Sequence, residues 1–442
     1  MDVGQILFIV LLIVVGYVSY VLYGRVWRNI QLGQKEDLSD QPGKRLRNVL
    51  LIAFGQKKMF KRVIPAVFHL FIYVAFLITQ VALIEILIDG ITGSHRFFAS
   101  RLGGFYTFVL GFIEVLSVLA LVATFVFLAR RLILKVSRFQ NREMKGWPSR
   151  DAIIILVLEL VLITAVFMMH SADVVLQGRG VEGYSSTGAL PVSGWLGPAF
   201  FGNLEIGTLV FLERTGWWLH ILVVFGFLVY LPVSKHLHIL LAFPNTYFAR
   251  LDPPGKMRNM PDVMKEVKSM LGIGEDDSTD EMSEELPEFG AKDVMDLSWK
   301  NILDAYTCTE CGRCTAVCPA NMTGKKLSPR KIVMDVRDRA EEVGKALDAD
   351  PSLTKLNFDD GKSLFDRITS EELAACTTCN ACVEACPVLI NPLDIILQMR
   401  RYEILTLSAG PSEWVPMFNA MENMGAVWQM PEERDAWTKG GD

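Results

Sequence analysis

Five long apolar runs occupy the chain before about residue 242, and the two hundred or so residues that follow read as a polar, charged sequence. Each run is long enough to cross a hydrocarbon core of ~30 Å, which takes about 20 helical residues. The runs lie near Val3–Tyr23, Pro65–Ile88, Phe105–Ala129, Ala152–His170 and Thr215–Leu237. The pattern predicts an all-α protein with a five-helix transmembrane bundle in residues 1–242 and a separate domain after it.

The first run could instead be a cleaved signal peptide, but the stretch from Met1 to Gln5 has no basic residue and the run is too long for one. Orientation follows from the loops. Ten Lys/Arg lie between Arg25 and Arg62 and seven between Arg130 and Arg150, whereas the opposite loops hold two each. By the positive-inside rule, the N-terminus is outside and everything after the fifth helix is cytoplasmic, in a multi-pass protein of the inner membrane.

Composition adds two constraints. At 51% hydrophobic, the chain is more apolar than a soluble globular protein, and a net charge of -5 argues against nucleic acid as a partner. All eight cysteines fall in two tight clusters in the second half, which leaves none for disulfides and indicates a reducing compartment.

An acidic stretch separates the membrane part from the cysteines. Between Gly272 and Asp296 it contains ten acidic residues against the single Lys292, after the break at Pro253-Pro254-Gly255. We interpret residues 243–300 as a solvated linker, with a docking patch for a basic partner as the alternative.

The cysteine motif occurs twice with identical spacing. It reads Cys308-x-x-Cys311-x-x-Cys314-x-x-x-Cys318-Pro319 and then Cys376-x-x-Cys379-x-x-Cys382-x-x-x-Cys386-Pro387. In such runs three thiolates ligate one cubane cluster and the fourth ligates the other cluster. The sequence therefore predicts two [4Fe-4S] clusters whose ligands interleave.

The predicted ligands of cluster 1 are Cys308, Cys311, Cys314 and Cys386, and those of cluster 2 are Cys376, Cys379, Cys382 and Cys318. Zinc is the alternative, but zinc sites use four ligands per ion in paired cysteines or histidines, a pattern unlike this doubled run.

The 57 residues between the two motifs are far more than a small ferredoxin uses, and they read as helices that begin at Ser328-Pro329-Arg330. This insert, the second motif and Arg400-Arg401 resemble the helical ferredoxin module of heterodisulfide reductases and of the iron-sulfur subunit of anaerobic glycerol-3-phosphate dehydrogenase. The resemblance implies that residues 301–405 form a cytoplasmic α-helical ferredoxin domain.

Residues 406–442 extend the resemblance. The stretch from Pro411-Ser412-Glu413-Trp414 to Trp437 is similar to the segment that leads into a cysteine-rich catalytic domain in heterodisulfide reductase-like fusion proteins, although Gly425-Ala426-Val427-Trp428 stands where they have Gly-Asn-Pro-Trp. The resemblance implies that this tail docks a separate cytoplasmic, cysteine-rich partner subunit.

Histidines in the membrane part predict b-type haem, which axial imidazoles hold between helices. His69 is near the inner end of the second predicted helix. His220 and His238 are 18 residues apart in the fifth, which is five turns of one helix, so they would share a face about 27 Å apart. On the same arithmetic His236 points about 160° away.

This arrangement resembles the gamma subunit of respiratory nitrate reductases, a five-helix haem b protein with the same 18-residue spacing. The resemblance implies an inner haem on His69 and His238 and an outer one on His220. The second outer ligand of that family is replaced here by Thr79, and His170 is at a suitable depth to substitute for it. For each histidine the alternative is a polar interface residue, which is our expectation for His95.

Two carboxylates also lie at membrane depth, Glu114 and Glu159. Such groups are costly in lipid, so each either handles quinol protons or is a neutral carboxyl bonded to a neighbouring helix.

Together these features predict a membrane electron-transfer subunit of a quinone-linked oxidoreductase. It would pass electrons among menaquinone or another quinone, one or two haems b, two [4Fe-4S] clusters and a partner that holds the substrate site. The alternative is a haem-free anchor that tethers a ferredoxin module to a larger assembly. A redox sensor would need an output domain that the sequence does not show.

Overall fold

The computed structural model of the chain describes residues 2–273, 288–409, 412–428 and 435–439. In these ranges all regular elements are helices, and extended backbone pairs in an isolated parallel bridge between Gln34 and Ser298. The predicted all-α class is confirmed for this part of the chain.

Five helices are long and apolar enough to cross a membrane, as the apolar runs predict. They extend several residues beyond the predicted spans at most ends because polar residues continue the helices past the apolar runs. Their bounds are α1 Val3–Ile30, α2 Val63–Thr92, α3 Gly104–Leu132, α4 Trp147–Gly178 and α5 Ile206–Tyr230.

The fifth helix differs from its prediction. It begins at Ile206 and ends at Tyr230, after which the 3-10 turn Leu231–Val233 leads to Ser234 in an extended conformation with φ of -112° and ψ of 150°. Pro232 explains the break because proline cannot donate the helical hydrogen bond and its ring clashes with the preceding turn.

The histidine arithmetic based on a continuous helix is therefore wrong. A second 3-10 turn covers Lys235–Leu237, and His238 is the first residue of a new helix, α6 His238–Tyr247. His220 and His238 do not share the face of one helix, and the predicted rotation of His236 away from His238 does not hold.

Helices α4 and α5 share the most extensive contact among the described helix pairs. A Cβ atom on Gly216 would lie 2.8 Å from the carbonyl oxygen of Ala165 and 2.8 Å from the amide nitrogen of Met169. Only glycine permits this approach, which brings the helices that carry His170 and His220 together.

The polar half of the chain is built from shorter helices. The longer ones are α7 Pro261–Met270, α8 Trp299–Thr307, α9 Pro329–Ala349, α10 Pro392–Arg401 and α11 Val415–Met424. Across both halves of the chain, short α-helices cover Pro42–Asn48, Ala99–Leu102, Ser193–Leu196, Pro319–Met322, Ser370–Ala374, Ala381–Ala385 and Ala436–Lys439. Turns of π-helix cover Val49–Phe54, Gly197–Phe201 and Tyr402–Thr406. Further 3-10 turns cover Met59–Lys61, Ser137–Phe139, Arg142–Met144, Thr315–Val317, Leu364–Asp366 and Ser412–Trp414.

One hydrophobic core joins the cluster domain to the membrane part. It combines Ile302 of α8, Ile332 of α9 and Ile395 of α10 with Val26 and Ile30 from the end of α1. The first membrane helix is thus anchored in the polar domain, which fixes that domain against one end of the bundle.

The predicted linker is only partly a spacer. Ala291, Val294 and Leu297 are fully buried in the same core, and Asn245 and Thr246 near the start of the segment are also buried. Residues 274–287, which carry most of its acidic side chains, lie outside the described residues.

Candidate electron-transfer sites

The two cysteine motifs repeat in backbone conformation as well as in sequence. Glu310 and Gly312 have φ of 54° and 69°, and the equivalent Thr378 and Asn380 have φ of 55° and 61°. These left-handed positions are rare outside glycine. They curl each Cys-x-x-Cys-x-x-Cys loop around one centre.

Backbone amides also point at the sulfurs, as in iron-sulfur sites where hydrogen bonds to sulfur tune the cluster. The N–H groups of Glu310 and Thr378 donate to Sγ of Cys308 and Cys376, each at 3.4 Å. The N–H of Ile390 donates to Sγ of Cys386 at 3.3 Å.

The structure brings each predicted ligand set together. Cys318, Cys376, Cys379 and Cys382 line one open cavity. In the other set, Cys386 is within electrostatic range of its predicted partners Cys308, Cys311 and Cys314. Cys382 also lies within range of Cys314, so the two sets are neighbours.

The donor chemistry fits two cubane clusters. All eight cysteines are free thiols, and burial raises the pKa of Cys308 and Cys386 to about 12. A thiolate at these positions needs a cationic partner, which iron supplies. Within the described residues no group of three or more His, Cys, Asp or Glu side chains is arranged to hold a single metal ion.

Three histidines meet at the end of the bundle nearest the cluster domain, and we call His69, His236 and His238 the inner histidine cluster. The rings of His236 and His238 are 5.8 Å apart, and both lie within electrostatic range of His69. His236 belongs to this group because of the break after Tyr230, which the sequence arithmetic did not include.

Hydrogen bonds leave one nitrogen of His69 and of His238 available. Nδ1 of His69 lies 3.1 Å from Oε1 of Gln56, and Nδ1 of His238 lies 3.1 Å from the carbonyl oxygen of Lys235. An acceptor at Nδ1 selects the tautomer whose Nε2 lone pair can bind iron. These two residues therefore fit the predicted pair of axial haem ligands.

His236 is a third candidate at the same place. Its Nδ1 lies 3.4 Å from Oγ of Ser234. This hydrogen bond uses only Nδ1 and leaves Nε2 available to bind iron. Burial lowers the pKa of His236 well below its ordinary value and also lowers that of His238, which keeps both rings in the neutral form.

A buried ion pair connects the inner histidine cluster to the first cysteine motif. Nζ of Lys235 contacts Oε2 of Glu310 at 2.5 Å, and Oε1 of Glu310 contacts Nη1 of Arg337 at 2.9 Å. Arg313 stands between Cys311 and Cys314 in the sequence, and its charge acts on His69. Its Nη1 donates a hydrogen bond of 3.5 Å to the carbonyl oxygen of Lys58.

Sequence reasoning missed these connecting residues. The available signal was a charged residue directly before His236, at Lys235, and another inside a cysteine motif, at Glu310.

The other two predicted haem ligands lie near the opposite end of the bundle. His170 is fully engaged, because its Nδ1 is 3.2 Å from Oε1 of Glu114 and its Nε2 is 3.5 Å from Nη1 of Arg96. His220 is buried, its Nδ1 has no hydrogen-bond partner, and it lies within electrostatic range of His170. His220 fits an iron ligand, whereas His170 fits only if Arg96 releases its Nε2.

The two membrane carboxylates differ in their surroundings. Glu114 is completely buried and accepts hydrogen bonds from the backbone N–H groups of Val192 and Ser193 at 2.9 and 3.2 Å, besides its contact with His170. Glu159 is partly buried beside Thr124 of α3. Glu114 thus anchors a loop and orients a histidine.

The fold and the cysteines define a class: an iron-sulfur electron-transfer protein with a helical membrane part. A family model described as a 4Fe-4S dicluster domain matches residues 307–390. The match covers both motifs and the helical insert between them.

Two curated relatives are similar to this chain over most of its length. The chain is 29% identical to a probable iron-sulfur-binding oxidoreductase, FadF, of Bacillus subtilis, over 92% of this chain and 57% of the relative. It is 26% identical to the EtfAB:quinone oxidoreductase of Syntrophomonas wolfei, over 93% of this chain and 56% of the relative. The chain therefore spans a little over half the length of either protein.

The resemblance to heterodisulfide reductases is confirmed in the cluster domain. One subunit of the ferredoxin:CoB-CoM heterodisulfide reductase of Methanosarcina mazei is 30% identical over 103 residues, which are 23% of this chain and 48% of the relative. No solved structure matches the chain. The resemblance to the nitrate reductase gamma subunit stays a prediction.

Proposed function

We propose that this chain is a quinone-linked electron-transfer subunit, in which haem b at the inner histidine cluster connects membrane quinone to the two [4Fe-4S] clusters. The observation that carries the proposal is the contact between Lys235, which lies beside the histidines, and Glu310, which lies inside the first cysteine motif. This buried ion pair would join the two redox sites and give electrons a short route between them.

The positions of the cysteines support an order of carriers. The first motif contacts the segments that flank the inner ends of α2 and α5, since Arg313 donates to the carbonyl of Lys58 and Glu310 pairs with Lys235, so cluster 1 would be the electron partner of the haem. Cluster 2 lies next to it, and its ligand Cys379 is exposed. Electrons would therefore enter or leave the protein at cluster 2.

The haem would be held by His69 and His238, with Gln56 and the Lys235 carbonyl fixing their tautomers. When bound, haem b supplies a one-electron carrier between a two-electron quinone and one-electron clusters. The protein supplies the axial nitrogens, the buried site and the charged contact to the next carrier.

A second polypeptide completes the proposal. The similar proteins include a subunit of a heterodisulfide reductase and an EtfAB:quinone oxidoreductase, which supports assembly with other polypeptides. We place a cytoplasmic, cysteine-rich partner at the face around Cys379 and along the tail, where Phe418, Trp428 and Trp437 are 42%, 68% and 82% exposed.

Haem analysis of the purified chain tests the proposal. We expect a pyridine haemochrome spectrum of haem b, and we expect His69→Ala or His238→Ala to lose the inner haem and to stop quinol from reducing the clusters. The EPR signals of dithionite-reduced clusters serve as the control, because these two substitutions leave every cysteine in place.

The opposite result would favour the haem-free anchor. Full haem content and normal quinol-to-cluster transfer in both variants would refute the inner ligand pair. A wild-type chain without any haem would leave the chain as a membrane-tethered ferredoxin module. If His238→Ala alone kept its haem, His236 would be the ligand opposite His69.

A further inference from the structure

The loop between α3 and α4 places Arg138 of the membrane part against the first cysteine motif. Nη1 of Arg330, in α9, donates to the carbonyl oxygen of Arg138 at 2.7 Å. Gly312, inside the motif, lies at this contact with φ of 69°, and a Cβ atom on it would be 3.2 Å from the same carbonyl oxygen and 2.3 Å from Nη1 of Arg330. Glycine suits both the left-handed backbone and the close approach. The membrane loop is thus seated directly on the motif.

The guanidinium of Arg138 is packed but not satisfied. Its Cζ lies 4.9 Å from the centre of the Phe139 ring, and Cζ of Arg131 lies 4.5 Å from the same centre. Nε of Arg138 is buried and has no hydrogen-bond partner. Because a buried donor without an acceptor is costly, this atom indicates that an acceptor belongs beside it.

Other cations surround Arg138. The main charges that act on it are those of Arg62, Arg130 and Arg313, and the group of opposite sign among these main influences is Cys311. Burial, followed by the charge of Arg62, lowers the pKa of Arg138 to about 10. Arg313 comes from the cluster domain, so the positive-inside rule does not explain its position beside arginines of the membrane loops. The group as a whole needs an anion.

Cluster 1 fits as that anion. Cys311 and Cys386 are two of its predicted ligands, and both also act on Arg313, which is buried inside the motif. A cubane with four thiolates is negatively charged, and its reduction adds one electron and therefore one more negative charge. Fixed cations nearby favour the reduced form and raise the reduction potential.

The carboxylates near cluster 1 do not cancel these cations, because they have partners of their own. Glu310 pairs with Lys235 and with Arg337. Asp304 pairs with Lys300 at 2.6 Å. The positive charges of Arg138 and Arg313 therefore remain to act on the cluster.

Cluster 2 has a different environment. The cation that acts on its ligand Cys376 is Arg400, whose guanidinium donates to the carbonyl oxygens of Leu373 and Cys376. This cation comes from the cluster domain itself and is already bonded. The membrane loop is thus placed to influence the two clusters unequally.

We propose that Arg138 and Arg313 are counter-ions of cluster 1, and that the membrane part, through Arg138, raises the reduction potential of this cluster. Both are positioning residues, since they act through their charge and do not ligate iron. The inference rests on the two clusters of the proposed function, but on neither haem nor quinone.

Redox titration of the full chain in lipid nanodiscs, followed by EPR, tests the two arginines. The signal that remains in Cys318→Ser is assigned to cluster 1. The variants are Arg138→Gln and Arg313→Gln, which remove a charge, and Arg138→Lys, which keeps it. The matched control is Arg142→Gln, because Arg142 is an exposed arginine of the same loop.

We expect Arg138→Gln and Arg313→Gln each to lower the ratio of reduced to oxidised cluster 1 at a fixed potential by about tenfold, which is ~59 mV for a one-electron couple. The potential of cluster 2 should change much less. Arg138→Lys should stay near the wild type, because lysine restores a charge but not the packing of a guanidinium. Arg142→Gln should match the wild type at both clusters.

Unchanged potentials of cluster 1 in both glutamine variants would overturn the assignment, and so would an equal shift of the two clusters. A shift in Arg138→Lys as large as that in Arg138→Gln would also overturn it, since the role of Arg138 would then be structural. If Arg313→Gln fails to assemble its clusters, the comparison of Arg138→Gln with Arg138→Lys decides. A chain that holds no haem but shows the expected shifts would refute the haem of the proposed function and support this inference.

Discussion

At the residue scale, the redox sites depend on polar contacts that prepare each ligand. Gln56 and the Lys235 carbonyl each occupy the Nδ1 of one inner histidine, and backbone amides point at the sulfurs of Cys308 and Cys376. Such outer contacts orient ligands and tune the metal.

The interleaved ligation predicts an unequal effect of a single cysteine change. Cys318→Ser should damage cluster 2, because Cys318 lines the cavity of Cys376, Cys379 and Cys382. The cluster bound by the other cysteines of its own motif should survive better. EPR of the reduced protein measures both signals, and Cys386→Ser is the matched control that should reverse the pattern. Loss of cluster 1 in the Cys318 variant would refute the pairing.

At the element scale, the Ser328-Pro329-Arg330 motif fastens helix α9 to the loop between α3 and α4. Ser328 caps the helix through Lys331, and its Oγ also donates to Oε1 of Glu143 at 2.7 Å. Nη2 of the fully buried Arg330 contacts the same carboxylate oxygen at 2.7 Å. This single carboxylate therefore joins the N-terminus of α9 to the membrane part.

We expect Glu143→Gln to loosen this contact by about 3 kcal/mol, because it leaves the buried guanidinium of Arg330 without its counter-ion. Hydrogen exchange at the start of α9 and in residues 137–146 should then be about a hundredfold faster in the variant. Lys326→Ala, which removes a pair that is 69% and 60% exposed, is the control and should change little. Equal protection in wild type and Glu143→Gln would contradict this account.

The same contact predicts a pH dependence. Burial raises the pKa of Glu143, but hydrogen bonding from Ser328 and the charge of Arg330 outweigh burial and hold this pKa below its ordinary value. A lowered folded pKa means that the contribution is full above the ordinary glutamate pKa and is lost as pH falls through the lowered value. The protection factor at the start of α9, which corrects for the intrinsic pH dependence of amide exchange, should therefore be constant near neutral pH and fall only in acid, and the fall should be smaller in Glu143→Gln.

At the scale of the whole molecule, the basic loops and the cluster domain lie at one end of the bundle. Lys58 and Lys61 contact Glu384 of the second cysteine motif, and Gln34 pairs with Ser298. The loops that the positive-inside rule places in the cytoplasm are thus on the side of the clusters, which agrees with the reducing compartment that the cysteines require.

Accessibility labelling in intact cells tests this orientation. Ser39 and Ser186 are both exposed and lie in loops at opposite ends of the bundle. We expect a membrane-impermeant maleimide to label Ser186→Cys from outside and to label Ser39→Cys only after lysis, with the wild-type chain as background. The reverse labelling would invert the topology.

The sequence alone determined the membrane helices, the helical class and the two cysteine motifs, because these depend on local chemistry. An apolar run long enough to span a bilayer predicts a membrane helix wherever it occurs. A Cys-x-x-Cys run with a following Cys-Pro likewise predicts a cluster site from a few neighbouring residues. His69, His220 and His238 were also identifiable as ligand candidates, since histidine is rare at membrane depth.

Only the tertiary structure decided which of these residues meet. The break at Pro232 turns the chain so that His236 joins His69 and His238. Counting residues along a continuous helix cannot predict such a change of direction. The contact between Lys235 and Glu310 joins residues 75 positions apart in the chain, and the contact between His95 and Asp173 joins the loop after α2 to helix α4. Sequence periodicity reports which face of an element is buried, whereas such contacts arise only when separate elements pack together.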